Sequence, residues 1–156
     1  MTTFFDTMNQ PHELPEGQKV EWRISGYAFI KNDKNEVLVV LPTWRDTFDL
    51  PGGGIETYET VQEGIIRECM EETGYEVKIE DEQPLFVSQT RFYVRTEQQY
   101  FHSLNFYFAA TITSDIQKEY WVEETAKIEW IPIDTLDEKN CHGLHLRAIK
   151  AISSKV

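Results

Sequence analysis

From Ile24 onward the chain alternates short apolar, β-branched runs with turn-rich segments, and one long stretch breaks that rhythm with a helical period. ISGYAFIK and EVLVVL, separated by KNDKN, predict a hairpin or at least two neighbouring strands. LPTWRDTFDLPGGG, with two prolines and three consecutive glycines, predicts a loop that delivers the chain into a helix. Thr60 followed three residues later by Glu63 has the spacing of a capping box, and Gly74 is a stop signal, so the helix is expected over Val61–Thr73. Val61, Ile65 and Cys69 recur at i, i+4, i+8 as its buried stripe, with Ile66 and Met70 widening it. YEVKIE, PLFVSQTRFYV, YFHSLNFYFAATI and AKIEWIPI all read as strands. A short helical turn at residues 134–138 and a helix at residues 144–153, with Leu146, Ile149 and Ile152 apolar, complete the pattern. Strands on both sides of a long helix, with a second helix at the end, predict an α/β (α+β) domain: a mixed sheet covered by helices on two faces.

Residues 1–22 are polar, contain Pro11, Pro15 and Gly17, and show no sustained period. They are expected to be a lead-in or a peripheral strand, available for a homodimer contact, before a single domain over residues 23–156. With 156 residues, 40% hydrophobic and 13% aromatic, the chain has the material for one core. A net charge of -12 disfavours a stable nucleic-acid or anionic-membrane partner. No apolar run approaches the roughly 18 residues of a membrane span, and the first residues lack a basic start followed by an apolar core, so a cytoplasmic location is expected. Cys69 and Cys141 alone support neither a disulfide framework nor a zinc cluster.

On the helix Glu68, Glu71 and Glu72 span an arc of about 100°. Their i, i+3 and i, i+4 repulsions, and the position of Glu71 and Glu72 in the last turn, oppose the helix by about 1–2 kcal/mol. Arg67, placed i, i+4 to both Glu63 and Glu71, offsets part of this. A sum this small is compatible with a solvated acidic face. It is also compatible with a Mg²⁺ or Mn²⁺ site, because such ions prefer clustered carboxylate oxygens. Gly52, Gly53 and Gly54 let the backbone approach an ion or phosphate, although the Lys-Ser/Thr of a P-loop is absent.

Gly53, Glu59, Arg67, Glu68, Glu71, Glu72 and Gly74 fall on the pattern G-x5-E-x7-R-E-U-x-E-E-x-G-U, with Cys69 and Tyr75 at the bulky positions U. This resembles the Nudix box, and LPGGGIE and EWIPID also resemble Nudix segments, so the likeness covers roughly residues 23–153. Gly64 stands where the family often has alanine, at a helix cost of about 1 kcal/mol. The resemblance implies a Nudix α/β/α sandwich, a pyrophosphohydrolase that cleaves a nucleoside diphosphate linked to another moiety with Mg²⁺ or Mn²⁺. It makes Glu68 and Glu72 the principal metal ligands, Glu71 a further ligand or water-activating acid, and Gly53 a carbonyl ligand. Arg67, Glu59, Gly52 and Gly74 shape the motif. The choice of general base among Glu68, Glu71 and an acid outside the box stays open. A Nudix-fold sensor that binds a nucleotide without hydrolysis is the alternative; its usual mark, loss of a box glutamate, is missing here.

Outside the box, Glu124 is the leading extra carboxylate, followed by Glu123 and then Glu97, each also readable as an exposed loop acid. Trp44, Arg45 and Phe48 precede the glycines and are candidates for substrate contact; core packing beside the loop is the better reading of Phe48, and for Trp44 and Arg45 the two readings are even. Tyr93, 18 residues beyond the box, resembles a tyrosine of dinucleoside polyphosphate hydrolases, and no proline stands between residues 86 and 111 as in ADP-ribose pyrophosphatases. His102, His142 and His145 show no partner pattern and read as structural or surface residues.

Overall fold

The computed structural model describes residues 1–114, 117–118 and 124–155. Nine strands are described: β1 (Thr3–Phe5), β2 (Pro11–Glu13), β3 (Val20–Phe29), β4 (Glu36–Pro42), β5 (Gly52–Gly54), β6 (Val77–Ile79), β7 (Phe86–Val94), β8 (Gln99–Ile112) and β9 (Thr125–Pro132). The helices are α1 (Val61–Thr73) and α2 (Gly143–Ser153), with a 3₁₀ turn at Ile133–Thr135. The main sheet runs β2-β1-β7-β8-β3-β5, with β6 also paired to β8, and β4 and β9 form a separate antiparallel pair. It is a mixed sheet: β3 lies parallel to β8 over ten residues, while β7–β8 and β3–β5 are antiparallel.

The two faces follow from strand alternation. On one face Ala28, Ile30, Leu38, Phe108 and Ala110 pack with Ile65 and Cys69 of α1. On the other Phe29, Val37, Val39 and Tyr107 pack with Leu146, Ala148, Ile149 and Ile152 of α2. Helices therefore cover two sides of the strands. Both cysteines are free and buried.

Two local expectations are corrected. ISGYAFIK and EVLVVL do not form a regular hairpin: β3 has β8 on one side and β5 on the other, so β4 meets it only through the Lys31–Val37 bridge and pairs with β9 instead. The run Val37–Val40 is buried at every position. That continuous burial needs cover on both faces, which the second layer of strands supplies. Ile66, expected in the helix stripe, is exposed, because burial on α1 turns towards Gly64, Ile65 and Cys69.

Residues 1–22 include the β1–β2 pair, and β1 extends the edge of the main sheet beside Phe92 of β7. Asp6 ties this region together. Its buried carboxylate accepts from the backbone of Met8 and Gln10, from His12 Nε2 at 2.9 Å, and pairs with Arg95 at 2.8 Å. Burial raises the pKa of Asp6, but those partners outweigh it and leave the carboxyl below its ordinary value.

Candidate active site at the glycine strand and the acidic helix

Helix α1 begins with a complete capping box. Thr60 Oγ1 accepts from the Glu63 N–H at 3.2 Å and the Glu63 carboxylate accepts from the Thr60 N–H at 2.8 Å. It ends at Gly74 in the left-handed conformation, whose N–H bonds the Met70 carbonyl. Packing of Ile65 and Cys69 on the strands turns Glu68 and Glu72 towards β5. The Gly52 N–H donates to Glu72 Oε2 at 2.9 Å. A Cβ added at Gly53 would stand 2.9 Å from the Glu68 carboxyl carbon, and one at Gly52 (φ 146°) would stand 2.1 Å from the Gly26 carbonyl oxygen. The glycines are thus required by close approach and by backbone conformation.

Arg67 organises the acids around it. Its guanidinium donates to Glu59 Oε1 at 2.6 Å and Oε2 at 3.1 Å, to Glu68 Oε1 at 2.8 Å, to Glu71 Oε2 at 3.3 Å and to the Gly54 carbonyl at 3.2 Å. Hydrogen bonds to Glu59, more than any other influence, hold Arg67 firmly protonated. In return Glu59 lies below its ordinary value, through its hydrogen bonds to Arg67 first and the Glu56 N–H second. A bidentate fork of this kind is specific to arginine.

Glu72 is the least comfortable charge in the site. Burial pushes its carboxyl well above the usual range; the Gly52 N–H opposes the shift, while the negative charges of Glu68, Asp49 and Glu124 add to it. Burial also raises Glu68, against Arg67. The side chain of Glu71 is 45% exposed and that of Glu68 17%. Several carboxylates converging on a half-buried one create a negative pocket that a hard cation relieves. The donor set therefore fits a divalent ion: oxygen ligands from Glu68 and Glu72, with Glu71 beside them.

Of the positions outside the box, Glu124 immediately precedes β9, its backbone carbonyl accepts from the Thr43 N–H, and its charge reaches Glu72. Glu123 lies outside the described residues. Glu97 occupies the β7–β8 turn. Trp44 is exposed; Arg45 pairs with Asp49 and donates to the Thr7 carbonyl at 3.4 Å; Phe48 packs against the α2 side of the core. Tyr93 packs on His12 and Tyr100, with ring centroids 4.2 and 4.6 Å away.

The structure adds residues that carry no motif. A cleft of about 600 Å³ opens beside β5 and is lined by Trp22, Arg23, Phe101, Gly54 and Glu59 among others, a size suited to a small-molecule ligand. Trp22 is 64% exposed and stacks on His102, with centroids 4.5 Å apart and planes 12° apart. The Arg23 guanidinium lies 5.7 and 5.8 Å from the ring centroids of Phe92 and Phe101. Strand register puts Arg23, Ser25, Ser103, Asn105, Ser88 and Thr90 on one face, and the buried Asn105 donates to Thr90 at 3.2 Å. The available signal was the period-2 placement of polar residues within β3 and β8, which acquires meaning only once those strands are neighbours.

A NUDIX domain model matches residues 22–151. The chain belongs to the Nudix family. The Gly53–Glu68 and Arg67–Glu59 contacts just described lie within the matched residues. The chain is 33% identical over 76 residues to a putative 8-oxo-dGTP diphosphatase of Bacillus subtilis (strain 168), a match covering 38% of this chain and 48% of that protein. It is 22% identical over 145 residues to a MutT-like protein of Streptomyces ambofaciens, covering 93% of this chain and 85% of that one. Among solved structures, a UDP-X diphosphatase superposes with a TM-score of 0.69 at 25% identity, covering 90% of this chain and 65% of that chain. The chain thus spans about half the length of the first relative and about two thirds of the UDP-X diphosphatase. Among the described residues no helix is long and apolar enough to cross a membrane.

Proposed function

We propose that this Nudix hydrolase cleaves a diphosphate linkage in a small nucleotide-like substrate, a nucleoside diphosphate joined to another moiety, with Mg²⁺ or Mn²⁺ as cofactor. The observation that carries this reading is the half-buried Glu72 carboxylate, held by the Gly52 N–H and facing the charges of Glu68, Asp49 and Glu124. Glu68 and Glu72 are the proposed principal ligands, with Glu71 and the Gly53 carbonyl as further ones. When bound, the metal neutralises diphosphate charge and makes a bound water more acidic.

The remaining roles fall to the chain itself. Arg67 holds Glu59, Glu68 and the Gly54 carbonyl in one frame, so the ligand carboxylates are positioned before substrate arrives. Glu71 and Glu124 are the solvent-accessible acids of the group and are the candidates to accept a proton from the attacking water, whereas Glu68 is pinned by Arg67. Arg23 is placed to meet a phosphate or a base edge from the cleft, and Trp22 offers an exposed ring for stacking. The names of the relatives widen the substrate field: one is named a putative 8-oxo-dGTP diphosphatase and another a UDP-X diphosphatase. Both names contain a nucleoside phosphate, which supports the class.

The test is hydrolysis with Mg²⁺ of a panel of dNTPs including 8-oxo-dGTP, UDP-sugars, ADP-ribose, NADH, dinucleoside polyphosphates and capped or triphosphorylated RNA. At least one member is expected to turn over, and Glu72→Gln to abolish that turnover. A panel wholly inert, with a nucleotide nevertheless bound, would replace the hydrolase reading by that of a sensor. A Glu72→Gln variant as active as the parent would reject the assigned ligand set.

A further inference from the structure

The loop between β4 and β5 carries Asp49 to the start of α2. Asp49 is fixed by two backbone hydrogen bonds to Val40, at 2.8 and 2.9 Å, and its neighbour Phe48 is stitched to the α2 side by Phe48 N–H to Asn140 O at 2.7 Å and His142 N–H to Phe48 O at 3.0 Å. His142 is the N-cap of α2 and His145 lies in its first turn, so their i, i+3 spacing brings both rings to one side. One ligand atom from each of Asp49, His142 and His145 lies within 4.8 Å of the others.

Three buried polar atoms in this cluster have no hydrogen-bond partner: Asp49 Oδ1, His142 Nδ1 and His145 Nδ1. Only 4% of His145 is exposed, and its Nε2 stands 3.6 Å from Asp49 Oδ1, too far for a hydrogen bond. Buried polar groups left in this state cost free energy that a ligand recovers. Burial is the main cause that lowers both histidines, His142 to about 4, so their rings are neutral and their lone pairs free at neutral pH. The plain alternative is an Arg45–Asp49 ion pair packed beside two idle histidines. That pair engages Oδ2 alone, and Asp49 Oδ1, the two histidine Nδ1 atoms and Arg45 Nε stay without a partner.

We propose that Asp49, His142 and His145 form a second metal site, distinct from the helix glutamates, which binds one divalent transition-metal ion such as Zn²⁺. Two imidazoles and one carboxylate are a donor set for Zn²⁺, whereas Mg²⁺ favours oxygen ligands. Metal–nitrogen contacts of about 2.0–2.1 Å place ligand atoms about 3.3 Å apart in a tetrahedron. The Arg45 charge opposes the ion, and the charges of Asp49 and nearby Glu72 counter it. Occupancy would pin the loop that presents the Gly52 N–H to Glu72 against α2, coupling the second site to the first through three residues of backbone.

The experiment is titration of the metal-stripped full chain with Co²⁺ as a spectroscopic probe, and with Zn²⁺ by calorimetry, in excess Mg²⁺ so that the glutamate site is saturated. One equivalent is expected to bind and to give visible d–d bands of a low-symmetry, nitrogen-containing site. His142→Ala is expected to lose those bands and to weaken binding by more than about tenfold, while circular dichroism reports an intact fold. If His142→Ala fails to fold, His142→Gln serves in its place. Absence of binding in excess Mg²⁺, or binding that both Asp49→Asn and the His142 variant leave unchanged, would overturn the proposal. The readout is independent of hydrolysis, so a protein inert towards the nucleotide panel still decides it.

Discussion

Gly64 shows how a residue that weakens a helix can serve the site. A Cβ there would stand 2.5 Å from Ile55 Cδ1 and 2.8 Å from Glu59 Oε1. Alanine would improve helix propensity by about 1 kcal/mol, yet it would press on the carboxylate that accepts both prongs of Arg67. Gly64→Ala is therefore expected to lower kcat and metal affinity with no gain in Tm, checked by steady-state kinetics over a Mg²⁺ series. Arg67→Lys tests the same frame from the other side: an ammonium cannot serve Glu59, Glu68 and the Gly54 carbonyl together. A loss of about 10- to 100-fold in activity or metal affinity is expected, as for other residues that orient metal ligands. Unchanged kinetics in both variants would remove Arg67 and Glu59 from the machinery.

Helix α1 and strand β5 matter as a pair. The capping box, the Gly74 stop and the Ile65–Cys69 stripe were legible because each is a local signal with fixed spacing. The structure places the helix at Val61–Thr73, the expected limits. Removing the cap with Thr60→Ala is expected to cost about 1 kcal/mol of stability, measured by denaturant titration. Less legible was the direction of burial around α1. Ile66 was expected inside and is exposed, because β5 and the glutamates press on the Gly64–Glu68–Glu72 side of the helix. A helical period locates an apolar stripe, but it does not know which flank a neighbouring strand will cover. The same blindness explains β3 and β4: adjacent in sequence and both strand-like, they belong to different sheets since β8 and β5 had already taken the edges of β3.

Across the molecule, the buried acids set a pH dependence whose sign can be worked out. Glu72 has a folded-state pKa raised above its unfolded value, and Asp49 is likewise raised, to about 6, chiefly by burial. Between the unfolded and folded values the native state binds more protons than the unfolded chain, so stability falls as pH rises through that window. His142, lowered to about 4, acts oppositely between that value and its ordinary one, where stability rises with pH. Comparing the parent with Glu72→Gln isolates Glu72 together with the acids its charge reaches, Glu68, Asp49 and Glu124. Without divalent ions, the variant is expected to gain in Tm over the parent as pH is raised from 5 to 8, and added Mg²⁺ to close the gap by stabilising only the parent. Equal Tm across that range would mean that Glu72 carries no strained charge.

The sequence by itself determined the elements, the caps, the spacing of Gly53, Glu59, Arg67, Glu68, Glu71 and Glu72, and with them the Nudix family; these are encoded by contacts within about twenty residues of one another. It also carried the α/β character of the fold, because period and turn chemistry are local properties. Tertiary structure alone decided which polar residues share a surface. Arg23 reaches Gly54 and Phe101 only after β3 has paired with β5 and β8. Asp49 meets His142 and His145 only after the β4–β5 loop has crossed to α2. The physical reason is common to both: burial and electrostatic coupling depend on distance in space, and the chain brings residues far apart in sequence into contact through long-range pairings that no local pattern specifies.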